Sequence, residues 1–325
     1  MAAIAIMTSG GDCAGMNPAI KYFVEHVILH NLEPYLIYDG LKGLIDNNIK
    51  KVTLNDVQGI IHLGGTIIGS SRSKRFFEYK YREQAFNNLN ELGIDKIIVL
   101  GGDGSFRAMN TFYKDFGVKF IGIPATIDND IYGTEYCLGV DTALNIIRSA
   151  IDSIRDTASS FKRAFVIETM GRESGYLALI SAITSGAEIC VIPEMPYDLD
   201  FKEKQIKKDV ANGKRYVLAV VAEGTNKTKE IYNFLRNEVG MDTRVTVLGH
   251  IQRGGNPTVF DRLMASNFIK HSIQRILEKD CKGEVVVYKN SAIEFITIDY
   301  ITSHKYKISN ALMGLYSIDY CGNKC

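Results

Sequence analysis

Short apolar runs recur along this chain, each closed by glycine and charged residues, with stretches of helical periodicity between them. Ile4-Ala5-Ile6-Met7, Lys96-Ile97-Ile98-Val99-Leu100, Phe120-Ile121-Gly122-Ile123, Ala164-Phe165-Val166-Ile167, Val217–Ala222 and Val245-Thr246-Val247-Leu248 read as buried strands. Between the first two, Ile20, Phe23, Val24, Val27 and Ile28 fall at i, i+3, i+4, i+7 and i+8, one face of a helix beginning near Pro18. Proline suits a first helical turn, where its missing N–H is not needed. Leu144, Ile147, Ile151 and Ile154 predict a second helix, where we place the first crossing between domains. Strands alternating with helices predict an α/β fold with a mostly parallel sheet.

The strand ends carry the chemistry. Met7 runs into Thr8-Ser9-Gly10-Gly11-Asp12, and Leu100 into Gly101-Gly102-Asp103-Gly104-Ser105. Glycines between a strand and a helix N-terminus offer free N–H groups and the positive end of a dipole to an anion. Asp103 can hold a cation on a bound phosphate. Gly10 and Gly15 have P-loop spacing, but Met16-Asn17 stands where that motif needs Lys-Ser or Lys-Thr. Neither loop carries the full G-x-G-x-x-G of a dinucleotide fold, and a tight strand-to-helix turn explains either one alone.

Pro124-Ala125-Thr126-Ile127-Asp128-Asn129-Asp130 follows the third run. If this segment stays extended, Thr126, Asp128 and Asp130 point to one side. Carboxylates that close disfavour each other's ionisation unless a cation lies beside them. Magnesium, which takes hard oxygen ligands and bridges carboxylate to phosphate, is one candidate; a polar loop capping a helix is the other reading. In the second half, Arg163 opens a strand that ends in Glu168-Thr169-Met170-Gly171-Arg172, and Glu223 ends the next. Arg244 precedes a run ending in Gly249-His250-Ile251-Gln252-Arg253-Gly254-Gly255, and His250 with Arg253 in that loop suit a phosphate. Ligands of open α/β sheets bind outside the carboxyl ends of strands, where we expect all these groups to fall.

Composition narrows the field. The 325 residues suggest two domains, and 46% apolar with 23% charged residues is ordinary for a globular protein. A net charge of +1 points to neither nucleic acid nor an acidic membrane surface. No segment approaches the roughly 18 apolar residues of a membrane span. The first apolar run lacks basic leading residues and reads as a strand, not a signal peptide. Cytoplasmic residence is therefore expected, with the six cysteines as reduced thiols and Cys321 and Cys325 in a frayed tail.

TSGGD at 8–12, GGTIIGSSR at 64–72, GGDGS at 101–105, PATIDND at 124–130, MGR at 170–172 and GHIQRGG at 249–255 occur in the order of one family. The chain resembles the ATP-dependent 6-phosphofructokinases of the bacterial type over nearly its whole length. The resemblance implies two Rossmann-like three-layer domains, each a mostly parallel sheet flanked by helices, with the active site in the cleft between them. It places an ATP-binding domain at 1–139 plus 252–305 and a fructose-6-phosphate-binding domain at 140–251 plus 306–325. Asp128 would be the general base toward the C1 hydroxyl, and Asp103 with Asp130 would hold Mg2+. Gly11, Arg72, Ser73, Gly102, Asp103, Gly104 and Ser105 would bind ATP. Thr126, Arg72 and Arg172 would steady the phosphoryl group. Met170, Gly171, Arg172, Glu223, His250 and Arg253 would cradle the sugar phosphate, while Arg163 and Arg244 reach it from a neighbouring subunit of a homotetramer.

Departures from the family pattern qualify these expectations. Pyrophosphate-dependent relatives carry aspartate where this chain has Gly104 and lysine where it has Ala125, so ATP is the expected donor. The ATP-dependent pattern has glycine at Ala125, and Leu41 and Phe77 stand for a tyrosine and an arginine near the nucleotide. Lys21, Arg155, Glu188, Lys214 and Arg215 match the effector site for ADP or phosphoenolpyruvate, but Glu25, Leu54 and Asn212 replace cations there. That site is expected to be weakened, since anion affinity is mostly charge-assisted hydrogen bonding. The rivals are a pyrophosphate-dependent phosphofructokinase, another kinase sharing GGDG, and a non-catalytic sugar-phosphate-binding relative. Gly104 argues against the first, GHIQRGG against the second, and the intact Asp103, Asp128 and Asp130 against the third.

Overall fold

The strands predicted from apolar runs form, in a computed structural model that describes residues 2–318. In chain order the first elements are β1 (Ala3–Ser9), α1 (Met16–Leu29), β2 (Glu33–Ile37), α2 (Gly40–Ile45), β3 (Ile49–Lys51), α3 (Tyr79–Glu91), β4 (Ile94–Gly101), α4 (Asp103–Phe116) and β5 (Lys119–Pro124). Next come α5 (Val140–Phe161), β6 (Ala164–Thr169), α6 (Tyr176–Ser185), β7 (Ile189–Val191), α7 (Leu199–Ala211), β8 (Val217–Ala222), α8 (Thr228–Asn233) and β9 (Thr243–Val247). The last are α9 (Val259–Ile276), β10 (Gly283–Lys289), β11 (Ala292–Thr297), α10 (Ile298–Ser303) and α11 (Asn310–Ile318). Two compact units result. The first takes the described residues up to Ile127, then Ile131–Thr142 and Arg253–Tyr306; the second takes Asp128–Asp130, Ala143–Gln252 and the chain from Lys307 onward.

The first unit is built on a seven-stranded sheet ordered β11-β10-β5-β4-β1-β2-β3. Its interior pairs are parallel, and antiparallel β3 and β11 close the edges. Every residue of β1 is buried, as a central parallel strand covered on both faces requires. Helices α1 and α9 pack on each other, and α2, α3, α4 and α10 make a separate set of contacts with one another and the sheet. Ile20, Phe23, Val24 and Val27 form the buried stripe of α1, as their spacing predicts.

The second unit has a four-stranded parallel sheet ordered β7-β8-β6-β9. Alternate residues Ala164, Val166, Val217, Ala219, Val221, Ile189 and Val191 enter one core with Ile206 of α7 and Ile231 of α8. The intervening Ile167, Leu218 and Val220 are also buried, so these strands read as continuous apolar runs. Both units thus have the mostly parallel, helix-flanked sheets expected. The Cys321–Cys325 tail lies outside the described residues; the other four cysteines are buried free thiols.

One expectation fails. β5 ends at Pro124, residues 127 and 128 form a turn, and Asn129 adopts a left-handed φ of 49°. The chain therefore bends within TIDND, and strand alternation does not aim Thr126, Asp128 and Asp130 to one side. Asparagine tolerates that backbone better than most residues because its short polar side chain bonds locally.

Candidate active site

Parallel register sets three chemistry-bearing loops side by side. Ser9 pairs with Gly101, and Gly101 with Pro124, so the loops after β1, β4 and β5 leave the carboxyl ends of the sheet as neighbours. Ser105 Oγ donates to the Ser9 carbonyl at 3.1 Å, and Ala125 N–H to the Gly101 carbonyl at 2.9 Å, fastening each loop to the next. Gly101 cannot be replaced easily, because an added Cβ would lie 2.6 Å from the Ser9 carbonyl.

Helix α4 starts at Asp103, directly after Gly102, so its open N–H groups and positive dipole end face outward from the strand tip. No heavy atom lies within 4 Å of a Cβ built on Gly102 or Gly104, which leaves an open backbone cradle for an anion. Asp103 accepts from Arg107 Nε at 2.7 Å, one turn along the same helix. The Arg253 guanidinium lies on Gly11: an added Cβ would meet Arg253 Nη1 at 2.7 Å. Nη1 is 3.9 Å from Asp12 Oδ1, and the buried Nε has no hydrogen-bond partner among the described residues. A buried donor left over beside glycine N–H groups suits a bound oxyanion.

The segment bearing Arg72 and Ser73 is fixed from a residue the motif reading missed. Asn17, buried in the first turn of α1, donates to the carbonyls of Leu63 and Gly64 at 3.1 and 3.0 Å and accepts from Ile67 N–H at 2.7 Å. Thr8 Oγ1 donates to the Gly69 carbonyl at 2.6 Å and Ser70 Oγ to that of Gly10 at 2.9 Å. Residues 63–70 are thereby anchored, and Arg72 emerges exposed at their end. Only the position of Asn17, where the serine or threonine of a P-loop would stand, hinted at this role.

In the second unit, Asp128 is 1% exposed and its Oδ2 lies 3.2 Å from Arg172 Nε. Asn129 is buried, and Thr126 and Asp130 are half-buried. The loop after β6 is shaped by Glu223, whose Oε1 accepts from Gly171 N–H at 3.2 Å and Arg172 N–H at 3.0 Å. Gly171 has φ 143° and Arg172 φ 53°, and an added Cβ at Gly171 would lie 2.3 Å from the Ser174 carbonyl. Gln252, also missed by motif reading, is buried; it accepts from Met170 N–H at 3.2 Å and donates to the Gly249 carbonyl at 2.9 Å. Met170, Gly171, Arg172, Glu223 and the loop of exposed His250 are thus brought together.

Arg163 and Arg244 are not part of that group. Arg163 precedes β6 and Arg244 pairs with Phe165, so both lie at the amino end of the sheet, opposite the loop after Thr169. Strand rise makes this a separation of roughly 20 Å, which corrects the expectation that all these cations cluster at carboxyl ends. Both arginines converge on Asp242, Arg163 Nε at 2.7 Å from Oδ2 and Arg244 Nη1 on Oδ1. The Arg163 hydrogen bond, seconded by Arg244, holds the Asp242 carboxyl below its usual range. The Arg163 guanidinium also lies 4.4 Å from the centre of the exposed Phe161 ring.

Two of the cations expected at an effector site are already paired. Lys21 bonds Glu25 and Lys214 bonds Glu188. Glu188 also accepts from Leu218 N–H at 2.7 Å, and Arg155 donates to the Ser185 carbonyl. Among the described residues no cluster of three or more His, Cys, Asp or Glu forms a metal site, and no helix is long and apolar enough to cross a membrane. Asp103 and Asp130 remain hard oxygen donors of the kind magnesium takes when phosphates complete its shell.

Comparison with known proteins agrees with this assembly. Residues 3–276 match the family described as Phosphofructokinase. The ATP-dependent 6-phosphofructokinase of Sulfurimonas denitrificans is 57% identical over 311 residues, 95% of this chain and 97% of that protein. That of Wolinella succinogenes is 52% identical over 295 residues, covering 90% and 92%. Phosphofructokinase of Saccharomyces cerevisiae superposes with a TM-score of 0.89 at 31% identity, over 93% of this chain and 45% of the yeast chain. With its glycine-acid loops, its acidic turn and its glutamate-shaped loop all inside the matched residues, the chain belongs to the phosphofructokinase family.

Proposed function

We propose that the protein transfers the γ-phosphoryl group of ATP to the C1 hydroxyl of D-fructose 6-phosphate, giving fructose 1,6-bisphosphate and ADP. The observation that carries this reading is the register of β1, β4 and β5, which starts the Gly10–Asp12, Gly102–Ser105 and Thr126–Asp130 segments side by side at the carboxyl ends of neighbouring strands. The first unit binds the nucleotide: Gly11 N–H, the first turn of α4 and the Arg72-Ser73 segment take the triphosphate. Magnesium, held by Asp103 and Asp130, supplies positive charge to the phosphate oxygens when bound.

Phosphoryl transfer asks a protein mainly for alignment and for charge on the equatorial oxygens. Asp128 takes the proton from the C1 hydroxyl as its oxygen attacks the γ-phosphorus, and the bond to ADP breaks. Arg172 holds the Asp128 carboxylate in place and, with Arg72 and Thr126, stabilises the group in transfer. Met170, Gly171, Glu223, His250 and Arg253 hold the sugar phosphate. Arg163 and Arg244 act on the site of a neighbouring copy in a homotetramer, which explains their place at the opposite sheet end. Open space at Gly104 favours a nucleotide donor over pyrophosphate. The paired Lys21 and Lys214 support a weakened effector site, and the reaction belongs to the cytoplasm.

The test is fructose 1,6-bisphosphate formation from fructose 6-phosphate and magnesium, with ATP and pyrophosphate compared. Turnover with ATP supports the reading. No turnover with either donor, in an assembled oligomer, overturns it in favour of a non-catalytic role.

A further inference from the structure

Asp261 is a fully buried carboxylate outside the groups assigned to substrates, one turn into α9. Its Oδ1 accepts from Gly139 N–H at 2.8 Å, and its Oδ2 from Thr142 N–H at 2.8 Å and Thr142 Oγ1 at 2.5 Å. These are the open donors at the start of α5, so Asp261 caps that helix from a different helix. Thr142 Oγ1 in turn accepts from Thr258 N–H at 3.1 Å, and Thr258 Oγ1 donates to Asp141 at 2.5 Å. The carboxylate is acceptor-only, which three converging donors require.

The same few residues close the loop that bears Asp128. Leu138 N–H donates to the Pro124 carbonyl at 2.8 Å, and Ala125 bridges Leu138, so the two stems of the loop are joined. Cys13 Sγ donates to the Leu138 carbonyl at 3.1 Å, and the Leu138 side chain fills the space a Cβ on Gly15 would need. Gly139 has φ 94°, and an added Cβ there would lie 2.5 Å from Cys13 Cβ. One stem is thus fixed through Ala125 to Gly101, and the other through Leu138 and Gly139 to Cys13 and Asp261.

We propose that Asp261 is a positioning residue for phosphoryl transfer: through Gly139 and Thr142 it clamps the outgoing stem of the 126–138 loop and so fixes the base Asp128. The inference rests on the kinase reading for its catalytic consequence, and on the hydrogen-bond network alone for the clamp. The alternative is that Asp261 merely stabilises the fold, leaving turnover alone in every folded variant.

The experiment compares wild type with Thr142→Val, Thr142→Ser and Asp261→Asn. It combines thermal melting, hydrogen–deuterium exchange over residues 126–139, and steady-state kinetics with both substrates. Thr142→Val keeps the shape but removes the hydroxyl donor, whereas Thr142→Ser keeps the donor and loses a methyl group. Asp261→Asn turns one acceptor into a donor facing buried N–H groups. Expected are faster exchange and a kcat lower by about tenfold or more in Thr142→Val and Asp261→Asn, as small misplacements of a catalytic group produce. Both KM values should stay within about twofold, and Thr142→Ser should behave as wild type. If Asp261→Asn fails to fold, Thr142→Val decides. A folded Thr142→Val with wild-type exchange or wild-type kcat overturns the proposal. A wild type without kinase activity would count against the kinase reading, while the exchange comparison would still judge the clamp.

Discussion

Arg172 Nε lies 3.2 Å from Oδ2 of the buried Asp128, and the backbone N–H of the same arginine is held at 3.0 Å by Glu223. Glu223 thus fixes the arginine, and the arginine fixes the carboxylate. Asp128→Ser would remove the proposed proton acceptor and leave the loop of Met170 and Arg172 in place. Turnover is expected to fall by about 10² to 10⁴, the usual contribution of a positioned base, with fructose 6-phosphate affinity within a few-fold of wild type. Near-normal kcat in this variant would remove Asp128 from the mechanism.

Gly104 gives a sharper test of donor choice. A Cβ there meets no heavy atom within 4 Å, and a carboxylate in the first turn of α4 suits the helix dipole, so Gly104→Asp should fold without loss of melting temperature. The carboxylate would face the triphosphate instead. At 4 Å and an effective dielectric of about 20, each like-charge pair costs about 4 kcal/mol. The expected result is a loss of about 10² or more in kcat/KM for ATP; unaltered ATP kinetics would place the nucleotide elsewhere.

Regulation should be blunt. With Lys21 held by Glu25 and Lys214 by Glu188, an incoming anion must break an ion pair before gaining a cation. Leu54 and Asn212 add no charge to compensate. Velocity against fructose 6-phosphate is expected to stay hyperbolic with phosphoenolpyruvate or ADP present. Strong sigmoidal inhibition by phosphoenolpyruvate would show a working effector site.

Burial pushes the Asp261 carboxyl up to about 6, against the lowering effect of its hydrogen bonds from Thr142 and Gly139 and with a small rise from Asp141. An unfolded aspartate titrates near 3.9. Between these values the folded protein binds more protons than the unfolded chain, so the stability linked to this group is full below about 4 and lost as pH rises through about 6. The loss amounts to about 3 kcal/mol at most. Asp141 and the Cys13 thiol, itself raised by burial, face the same pocket and stay constant between variants. The melting-temperature difference between wild type and Asp261→Asn should therefore shrink from pH 4 to pH 6.5 and then level. A flat difference would contradict the shift.

The strands and their glycine-acid ends were legible because a parallel sheet buries both faces of each strand, leaving continuous apolar runs such as Ile97–Leu100 that stop where polar chemistry begins. The bend in TIDND was not, because alternation assumes extended backbone and Asn129 leaves it at one residue. Asn17, Gln252 and Asp261 were illegible for another reason. Each is an ordinary polar residue with a decisive partner 46 or more positions away in the chain, so no local pattern marks it. Arg163 and Arg244 misled although their order was legible: a residue that opens or precedes an apolar run lies at the amino end of that strand, so neither could join groups at the carboxyl ends.

Those two arginines allow a decisive mixing experiment. They share Asp242 at the amino end of the second unit's sheet, roughly 20 Å along the strand from the loop of Met170 and Arg172. A side chain so placed cannot reach that loop within one chain, so the proposed sugar-phosphate role of these arginines requires a neighbouring copy. Arg244→Ala should then raise the KM for fructose 6-phosphate with kcat less affected, and Asp128→Ser should be nearly inactive. Unfolded together and reassembled, the two variants would form hybrid sites that take Asp128 from one chain and Arg244 from the other. Activity of the mixture at low fructose 6-phosphate is expected to exceed the sum of the separate variants. A mixture that equals that sum, with hybrid oligomers verified by native mass spectrometry, would confine Arg244 to its own chain.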